Sequence, residues 1–294
     1  MNEIYALFRR CLPYCIRSEA AVRALLEDPD CRTIVHRSED GCLVGAAVVH
    51  KSTLLLLCVD EAYRRCGIGS ALLSKAEQTI RENGYEVMSV GAGDGYIMPG
   101  VPSDRPIVPE TGMSICNSGA ASDPVHFFTK RGFKHSWDCN CFDMLAELDN
   151  CPSDDAVPVK GVTFRRAESA DLVSIIDCAM DAAPAFARYY QNPELYAPDS
   201  NACVMIAVAD SIVIGAVILG TDVDGTGSLG CTVVRSDFQG RKIATNLVIH
   251  ATACLKSSGM RRSFVGYTYS GLDRLYGRAG YHISTYYLMA AKKL

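Results

Sequence analysis

Residues 54–84 and 229–259 repeat one another at a constant offset of 175. In the first copy an apolar run, Leu54 to Val59, leads into Asp60-Glu-Ala-Tyr-Arg-Arg-Cys-Gly-Ile-Gly-Ser and then a helix-like pattern. In the second, Leu229-Gly-Cys-Thr-Val-Val leads into Arg235-Ser-Asp-Phe-Gln-Gly-Arg-Lys-Ile-Ala-Thr and another such pattern. The offset pairs Tyr63 with Phe238, Arg64 with Gln239, Gly67 with Lys242, Ile68 with Ile243, Ser70 with Thr245 and Gly84 with Gly259. Ile68, Leu72, Ala76 and Ile80 share one helix face, as do Ile243, Leu247, Ala251 and Leu255. A glycine just past the last turn, Gly84 or Gly259, is a stop signal. A chain built this way folds as two copies of one unit.

The flanks extend the repeat. Each helix is followed by a strand, Tyr85 to Val90 or Arg262 to Gly266, and then by an aromatic, a gap and Gly-aromatic: Phe128…Gly132-Phe133 and Tyr276…Gly280-Tyr281. Upstream lie two strands, Val44-Gly-Ala-Ala-Val-Val and Val213-Ile-Gly-Ala-Val-Ile. The second half opens with a strand, Val162 to Arg165, and a helix from about Ser169. The first half starts in its helix, so its opening strand is expected to be absent. That leaves a sheet edge which a second copy of the chain could cover as a homodimer. Asn150-Cys-Pro-Ser-Asp-Asp-Ala-Val-Pro has no periodicity and two prolines, and reads as a linker. The expected organisation is a domain over 1–149, a linker over 150–159 and a domain over 160–294, as 294 residues allow. The expected fold is α/β of the α+β type: each domain a mixed, mostly antiparallel sheet flanked by helices.

The segment Val59 to Ser70 has a chemical logic. A strand ends and the chain turns sharply into a helix, with glycines that let backbone approach a ligand. Unpaired amides of the first turn, backed by the helix dipole, make a pyrophosphate site. Arg64 and Arg65 add charge at its rim.

The spacing Arg64-x-x-Gly67-x-Gly69 resembles the Arg/Gln-x-x-Gly-x-Gly/Ala cofactor signature of the GNAT superfamily of N-acetyltransferases. The preceding Val-x-x-x-Tyr and the later aromatic-x-x-x-Gly-aromatic are similar to that family too, and the order occurs twice, as in its tandem two-domain form. The resemblance covers most of the chain. It implies acetyl-CoA as co-substrate, held in the first half by Cys58, Val59, Arg64, Arg65, Cys66, Gly67, Ile68, Gly69 and Ser70. In the second half it implies Val233, Val234, Gln239, Gly240, Arg241, Lys242, Ile243, Ala244 and Thr245. Lys242 departs from the pattern, where a side chain either crowds the pyrophosphate or contacts a phosphate.

The resemblance further implies that a strand amide, near Val59 or at Val234, polarises the thioester carbonyl. It implies that a tyrosine, Tyr276 by position, protonates the departing thiolate. The matching residue of the first half is Phe128, which has no proton to give. Two arrangements stay open. Either the second half catalyses despite Lys242, which is the preferred reading, or the first half does so with water or another residue as acid.

The interval from the motif to the closing Gly-aromatic is 65 residues in the first half and 38 in the second. The insertion lies within 91–123 and carries Asp94-Gly-Tyr-Ile-Met-Pro-Gly-Val-Pro. Tyr96…Pro99-Gly-Val-Pro and Gly266-Tyr-Thr-Tyr-Ser-Gly-Leu-Asp…Tyr276 are similar to a subgroup of tandem acetyltransferases associated with amino-sugar metabolism. The implied acceptor is the primary amine of a small molecule, an amino sugar among the candidates, with Tyr96, Tyr267, Tyr269 and Asp273 as candidate contacts. No carboxylate stands out near either motif as a general base, which suits an amine of pKa near 8 better than a lysine near 10.4. The competing readings are a non-catalytic coenzyme A-binding module and a protein-lysine acetyltransferase.

The net charge of −4 argues against a nucleic-acid partner. No run is long enough to cross a bilayer, and the start of the chain lacks a secretory signal pattern, so a cytoplasmic protein is expected. Fourteen cysteines without a Cys-x-x-Cys pair read as free thiols, with Cys139 and Cys141 on one strand face. None of the six histidines has a partner at metal or triad spacing, so no metal is expected.

Overall fold

The computed structural model describes residues 3–12, 19–91, 97–107, 124–151, 156–222 and 224–294. In chain order the elements are α1 (Glu3–Cys11), α2 (Glu19–Leu26), β1 (Cys31–Arg37), β2 (Leu43–His50), β3 (Thr53–Val59), α3 (Ile68–Glu82), β4 (Val87–Val90), β5 (Val101–Ser103), α4 (Pro124–Thr129), β6 (Lys134–His135) and β7 (Cys141–Glu147). They continue with β8 (Thr163–Arg166), α5 (Leu172–Ala182), α6 (Ala187–Tyr190), β9 (Ala202–Ala209), β10 (Ile212–Thr221), β11 (Thr226–Val234), α7 (Ile243–Ser257), β12 (Arg262–Tyr269), α8 (Asp273–Gly277), β13 (His282–Leu288) and β14 (Ala290–Lys293). Two compact units form: unit 1 from residues 1–141 and 286–294, and unit 2 from residues 142–285. The units therefore differ from the halves 1–149 and 160–294, because the last strand of each half is built into the other unit's sheet.

The sheet of unit 1 runs β1-β2-β3-β4-β14-β6. Its first four strands come from the first half, antiparallel up to β3, with β3 and β4 parallel. The C-terminal β14 lies between β4 and β6, antiparallel to both. Helix α3 packs on β2 through Ile68, Leu72, Ala76 and Ile80, all buried. The packing is close at Gly45, where a Cβ would stand 3.0 Å from Ile68 and Leu72, so a larger residue would push the helix off the sheet. No strand precedes α1 among the described residues, and β1 is the edge of this sheet.

Unit 2 repeats the plan with an opening strand added. Its sheet runs β13-β7-β12-β11-β10-β9-β8, with β11 and β12 parallel and β8 to β11 antiparallel. Here β7, from the first half, lies between β12 and β13. The other strand, β5, pairs with Tyr286–Leu288, which belong to unit 1. Ile243, Leu247, Ala251 and Leu255 are buried beneath α7, and Gly215 plays the part of Gly45, its Cβ position lying 2.8 Å from Leu247.

Both long helices end alike. Gly84 (φ 85°) and Gly259 (φ 82°) are left-handed, and Tyr85 N–H bonds Ile80 O as Met260 N–H bonds Leu255 O. These are Schellman closures. Because the closure takes up Tyr85, β4 begins at Val87, two residues later than its apolar pattern indicates. Cys139 and Cys141 do not share a strand face: Cys139 lies in the bend before β7, which starts at Cys141. Among the described residues no helix is long and apolar enough to cross a membrane.

Candidate active site

Each unit carries a loop from the end of its third or eleventh strand into a long helix. In unit 1 a short 3₁₀ turn, Glu61–Tyr63, precedes the loop, and in unit 2 Ser236–Phe238 does so. Arg64 folds back so that its Nε donates to Val59 O at 3.1 Å, and Gln239 Nε2 donates to Val234 O at 3.3 Å. The residue that the signature requires to be Arg or Gln thus ties the loop to the last carbonyl of the strand. Two positions in each loop are left-handed: Arg65 (φ 68°) and Gly67 (φ 84°) in unit 1, Gly240 (φ 75°) and Lys242 (φ 62°) in unit 2. The two loops share one backbone path and put their glycine at opposite ends of it. Lys242 therefore occupies the helix N-cap that Gly67 occupies, at the cost of left-handed strain about 1–2 kcal/mol for a residue with a Cβ.

Space lies in front of both loops. A Cβ at Gly67 or Gly240 would meet nothing within 4 Å, and Arg65, Cys66, Arg241 and Lys242 are exposed. Cys66 Sγ lies 3.6 Å from Arg64 O, and the Arg241 guanidinium sits 4.9 Å from the centre of the Phe238 ring. Ile68 and Ile243 are buried and root their helices, and the Cys58 and Val233 side chains are buried too. Gly69, Ser70, Ala244 and Thr245 are half-buried in the first turns. The first-turn amides of such helices lack partners within the helix. Ser70 Oγ accepts from Arg131 at 2.7 Å, and the same guanidinium lies 3.8 Å over the Phe127 ring. Arg131 thus adds a cation at the start of α3, as Lys242 does at the start of α7.

Beside each loop the parallel strands part. In unit 1, β3 and β4 pair only at Thr53–Ser89 and Leu54–Val90; in unit 2, β11 and β12 pair from Thr226–Arg262 to Leu229–Val265. The strand ends beyond these pairs line a gap. Val234 faces Gly215 while Arg235 N–H bonds Ile214 O, so 234–215 is the narrow type of antiparallel pair. The N–H of Val234 then points away from β10, towards the gap. Val59 stands in the same way, facing Gly45, with Asp60 N–H bonded to Val44 O.

The units differ in what faces the gap. In unit 2 the β10–β11 register shifts so that Cys231 and Thr232 together oppose Val217. Cys231 is left-handed (φ 53°), and its carbonyl accepts the hydroxyl of the fully buried Tyr190. Beside this bulge, Thr232 Oγ1 lies 3.2 Å from Tyr276 Oη. Tyr276 is buried, which raises its pKa above the usual tyrosine value. The corresponding residues of unit 1 are Leu57 and Phe128, and Phe128 is packed edge-on against Phe127 and Phe133.

Of the candidate acceptor contacts, Tyr96 lies outside the described residues. Tyr267 is half-buried with a left-handed φ of 57°, and Tyr269 is 46% exposed. Asp273 Oδ1 accepts from Gly271 N–H at 3.0 Å at the start of α8. Two residues that the sequence did not single out belong to the sites, Arg131 in unit 1 and Thr232 in unit 2. Arg131 and Thr232 stand next to recognised motif residues, but only contacts across the fold give them partners. Asp28, Asp30 and His50 also come together, the only such group of potential metal ligands among the described residues. Asp30 is ion-paired with Lys51 at 3.4 Å, and His50 Nε2 lies 3.6 Å from Asp28 Oδ1.

In sequence, residues 1–94 and 171–281 match the acetyltransferase (GNAT) family. No curated protein matches the chain. Among solved structures, the fold is similar to a glucosamine N-acetyltransferase region of a fungal multi-domain GH3 β-N-acetylglucosaminidase, with a TM-score of 0.75 and 20% identity over 99% of this chain and 36% of that one. The chain therefore spans little more than a third of that enzyme. It is also similar to a GCN5-related N-acetyltransferase from Sphaerobacter thermophilus, with a TM-score of 0.70 and 18% identity over 99% and 91% of the two chains. A tandem GNAT protein from the clavulanic acid biosynthesis pathway gives 0.72 and 16% over 99% and 94%. At these identities the likeness is one of fold.

Proposed function

The chain belongs to the acetyltransferase (GNAT) family, and from that premise we propose that it transfers the acetyl group of acetyl-CoA to the primary amine of a small molecule, with unit 2 as the catalytic unit. The observation that carries this reading is the Thr232–Tyr276 hydroxyl pair beside the strand end at Val234, set against Leu57 and Phe128 in unit 1.

The residues present fit acetyl-CoA, which supplies an acetyl group activated as a thioester. The amides at the start of α7 take the pyrophosphate, and Gly240 leaves the backbone open to it. Lys242 adds a phosphate contact, and Arg131 does the same at α3. The Val234 amide receives the negative charge that develops on the carbonyl oxygen, a donor held in place before reaction. The amine attacks that carbonyl directly, the C–S bond breaks as Tyr276 gives its proton to the departing thiolate, and the proton that the amine loses passes to solvent, from which the Tyr276 hydroxyl is restored. Burial favours the neutral hydroxyl, so the acid is present across the physiological range. Thr232 accepts from or donates to that hydroxyl and orients it. In this reading Cys58, Val59 and residues 64–70 form a second cofactor grip without an acid.

An amino sugar is the acceptor class we favour. Its support is the tandem organisation and the similarity of fold to a glucosamine N-acetyltransferase region. The described cysteines are free thiols, which fits a reducing, cytoplasmic setting.

Thiol release from acetyl-CoA with glucosamine as acceptor tests the activity, and calorimetric titration with acetyl-CoA tests the sites. Ala244→Glu is expected to abolish turnover, while Gly67→Glu removes one binding event and leaves turnover in place. If Gly67→Glu alone abolishes turnover, unit 1 is the enzyme and the assignment is wrong. Thiol release with a lysine peptide but with no small amine would favour the protein-lysine reading.

A further inference from the structure

Asp143 is a carboxylate only 6% exposed, on a strand that reaches unit 2 from the first half of the chain. Its Oδ1 accepts the backbone N–H of Tyr267 at 2.8 Å. Its own carbonyl accepts from Ser284 Oγ at 3.2 Å, so the strand is tied to β13 at the same residue. Tyr267 has a left-handed φ of 57°, a conformation that a residue with a Cβ does not adopt without support. It lies two residues beyond Val265, the last residue of β12 paired with β11. Next to it, Thr268 is 4% exposed, and its Oγ1 has no partner among the described residues.

At the matching place the exchanged strand of unit 1 carries no carboxylate. Leu148 N–H bonds Arg261 O as Leu294 N–H bonds Glu86 O, so the two exchanged strands end in the same register. Five residues before that bond stands Asp143 in one strand and Met289 in the other. Carboxylate, threonine and tyrosine (Asp143, Thr232, Tyr276) thus occur together in unit 2, where unit 1 has Met289, Leu57 and Phe128. A buried carboxylate is kept only where hydrogen bonds to it offset its desolvation.

The geometry points to Asp143 as a positioning residue for the acceptor side of unit 2: by holding the Tyr267 amide it fixes where β12 turns from β11 and presents residues 267–269 to the incoming amine. This rests on the reading of unit 2 as the catalytic unit. The segment it sets carries the phenol hydroxyls of the half-buried Tyr267 and the exposed Tyr269, so the acceptor it fits is a hydroxyl-bearing amine. The same function needs only an oxygen acceptor at position 143, so asparagine can replace aspartate.

Two measurements on the full chain test this. Amide hydrogen exchange over residues 265–270 is expected to quicken at least tenfold in Asp143→Ala and to stay near wild type in Asp143→Asn. With glucosamine as acceptor, Asp143→Ala is expected to raise the acceptor KM about tenfold while the KM for acetyl-CoA is unchanged, and Asp143→Asn restores it. Unchanged exchange in Asp143→Ala overturns the proposal, and so does an asparagine variant as impaired as the alanine one. Asp143→Met, the residue that unit 1 tolerates at this place, serves if the alanine variant does not fold. Exchange needs no turnover, so a wild-type chain inactive on glucosamine would refute the substrate reading and leave the exchange comparison to decide on Asp143.

Discussion

Thr232 Oγ1 and Tyr276 Oη lie 3.2 Å apart in unit 2, and the residues at the same places in unit 1 are Leu57 and Phe128. One copy of a repeated fold has a proton donor with a partner to aim it, and the other has a sealed apolar contact. The difference rests on β11, where the bulge at Cys231, held by Tyr190, brings the Thr232 hydroxyl to Tyr276. The β2–β3 ladder of unit 1 shifts register elsewhere, between Val48 and Val49.

Tyr276→Phe is therefore expected to lower kcat about 10²-fold, the usual contribution of a placed general acid. Thr232→Val should cost less, about tenfold, because it removes the orienting partner and keeps the acid. Acetyl-CoA affinity, by calorimetry, should not change in either. A Tyr276→Phe enzyme with wild-type kcat would rule out the proton-transfer role.

Lys242→Gly separates strain from binding. Glycine adopts the left-handed N-cap freely, so the variant should gain about 1 kcal/mol in stability. If Lys242 contacts a phosphate, acetyl-CoA affinity falls about tenfold, in line with about 1.5 kcal/mol for a charge-assisted hydrogen bond. Equal or tighter binding would mean that the side chain crowds the site.

Arg131→Ala tests the extra cation of unit 1. The loss of the Ser70 bond and the stacking on Phe127 should weaken the unit 1 binding event and leave turnover unchanged. A fall in kcat as large as that of Tyr276→Phe would argue against the division of labour between the units.

The exchanged last strand gives a folding test. Ala290 is 1% exposed in the core of unit 1, between β4 and β6. Ala290→Asp buries an unpaired carboxylate and should destabilise unit 1 by about 3–5 kcal/mol. Differential scanning calorimetry should then show a separate early transition. A single transition at the wild-type temperature would mean that β14 contributes little to that unit.

Alkaline pH should loosen unit 2. Burial pushes the Tyr281 hydroxyl up to about 12, although Ser263 and Thr252 bond it. The folded state favours the protonated form, so its contribution is complete below about pH 10, the unfolded value. It is lost as pH rises from about 10 to 12, by roughly 3 kcal/mol. Urea unfolding at several pH values should show that fall, and Tyr281→Phe should make it shallower by one proton.

The sequence alone was enough to determine the repeated strand–loop–helix, the helix faces and the glycine stops, and with them the family and the α/β class. Those features are local: helical periodicity, turn chemistry and a signature whose spacing follows from one backbone path through 64–67 and again through 239–242. The opening strand of the second half, present as β8 before β9, was legible for the same reason. Tertiary structure alone decided which residues meet across strands. The exchange of β7 and β14 leaves no mark in periodicity, because a buried strand looks the same in either sheet. Asp143 therefore reads as an isolated aspartate in an apolar run until the fold sets it 124 residues away along the chain, against the amide of Tyr267. Thr232 likewise looks like an ordinary strand threonine until the bulge and α8 bring Tyr276 to it. Hydrogen bonds between distant segments depend on register and bulge geometry, which single-residue preferences do not encode.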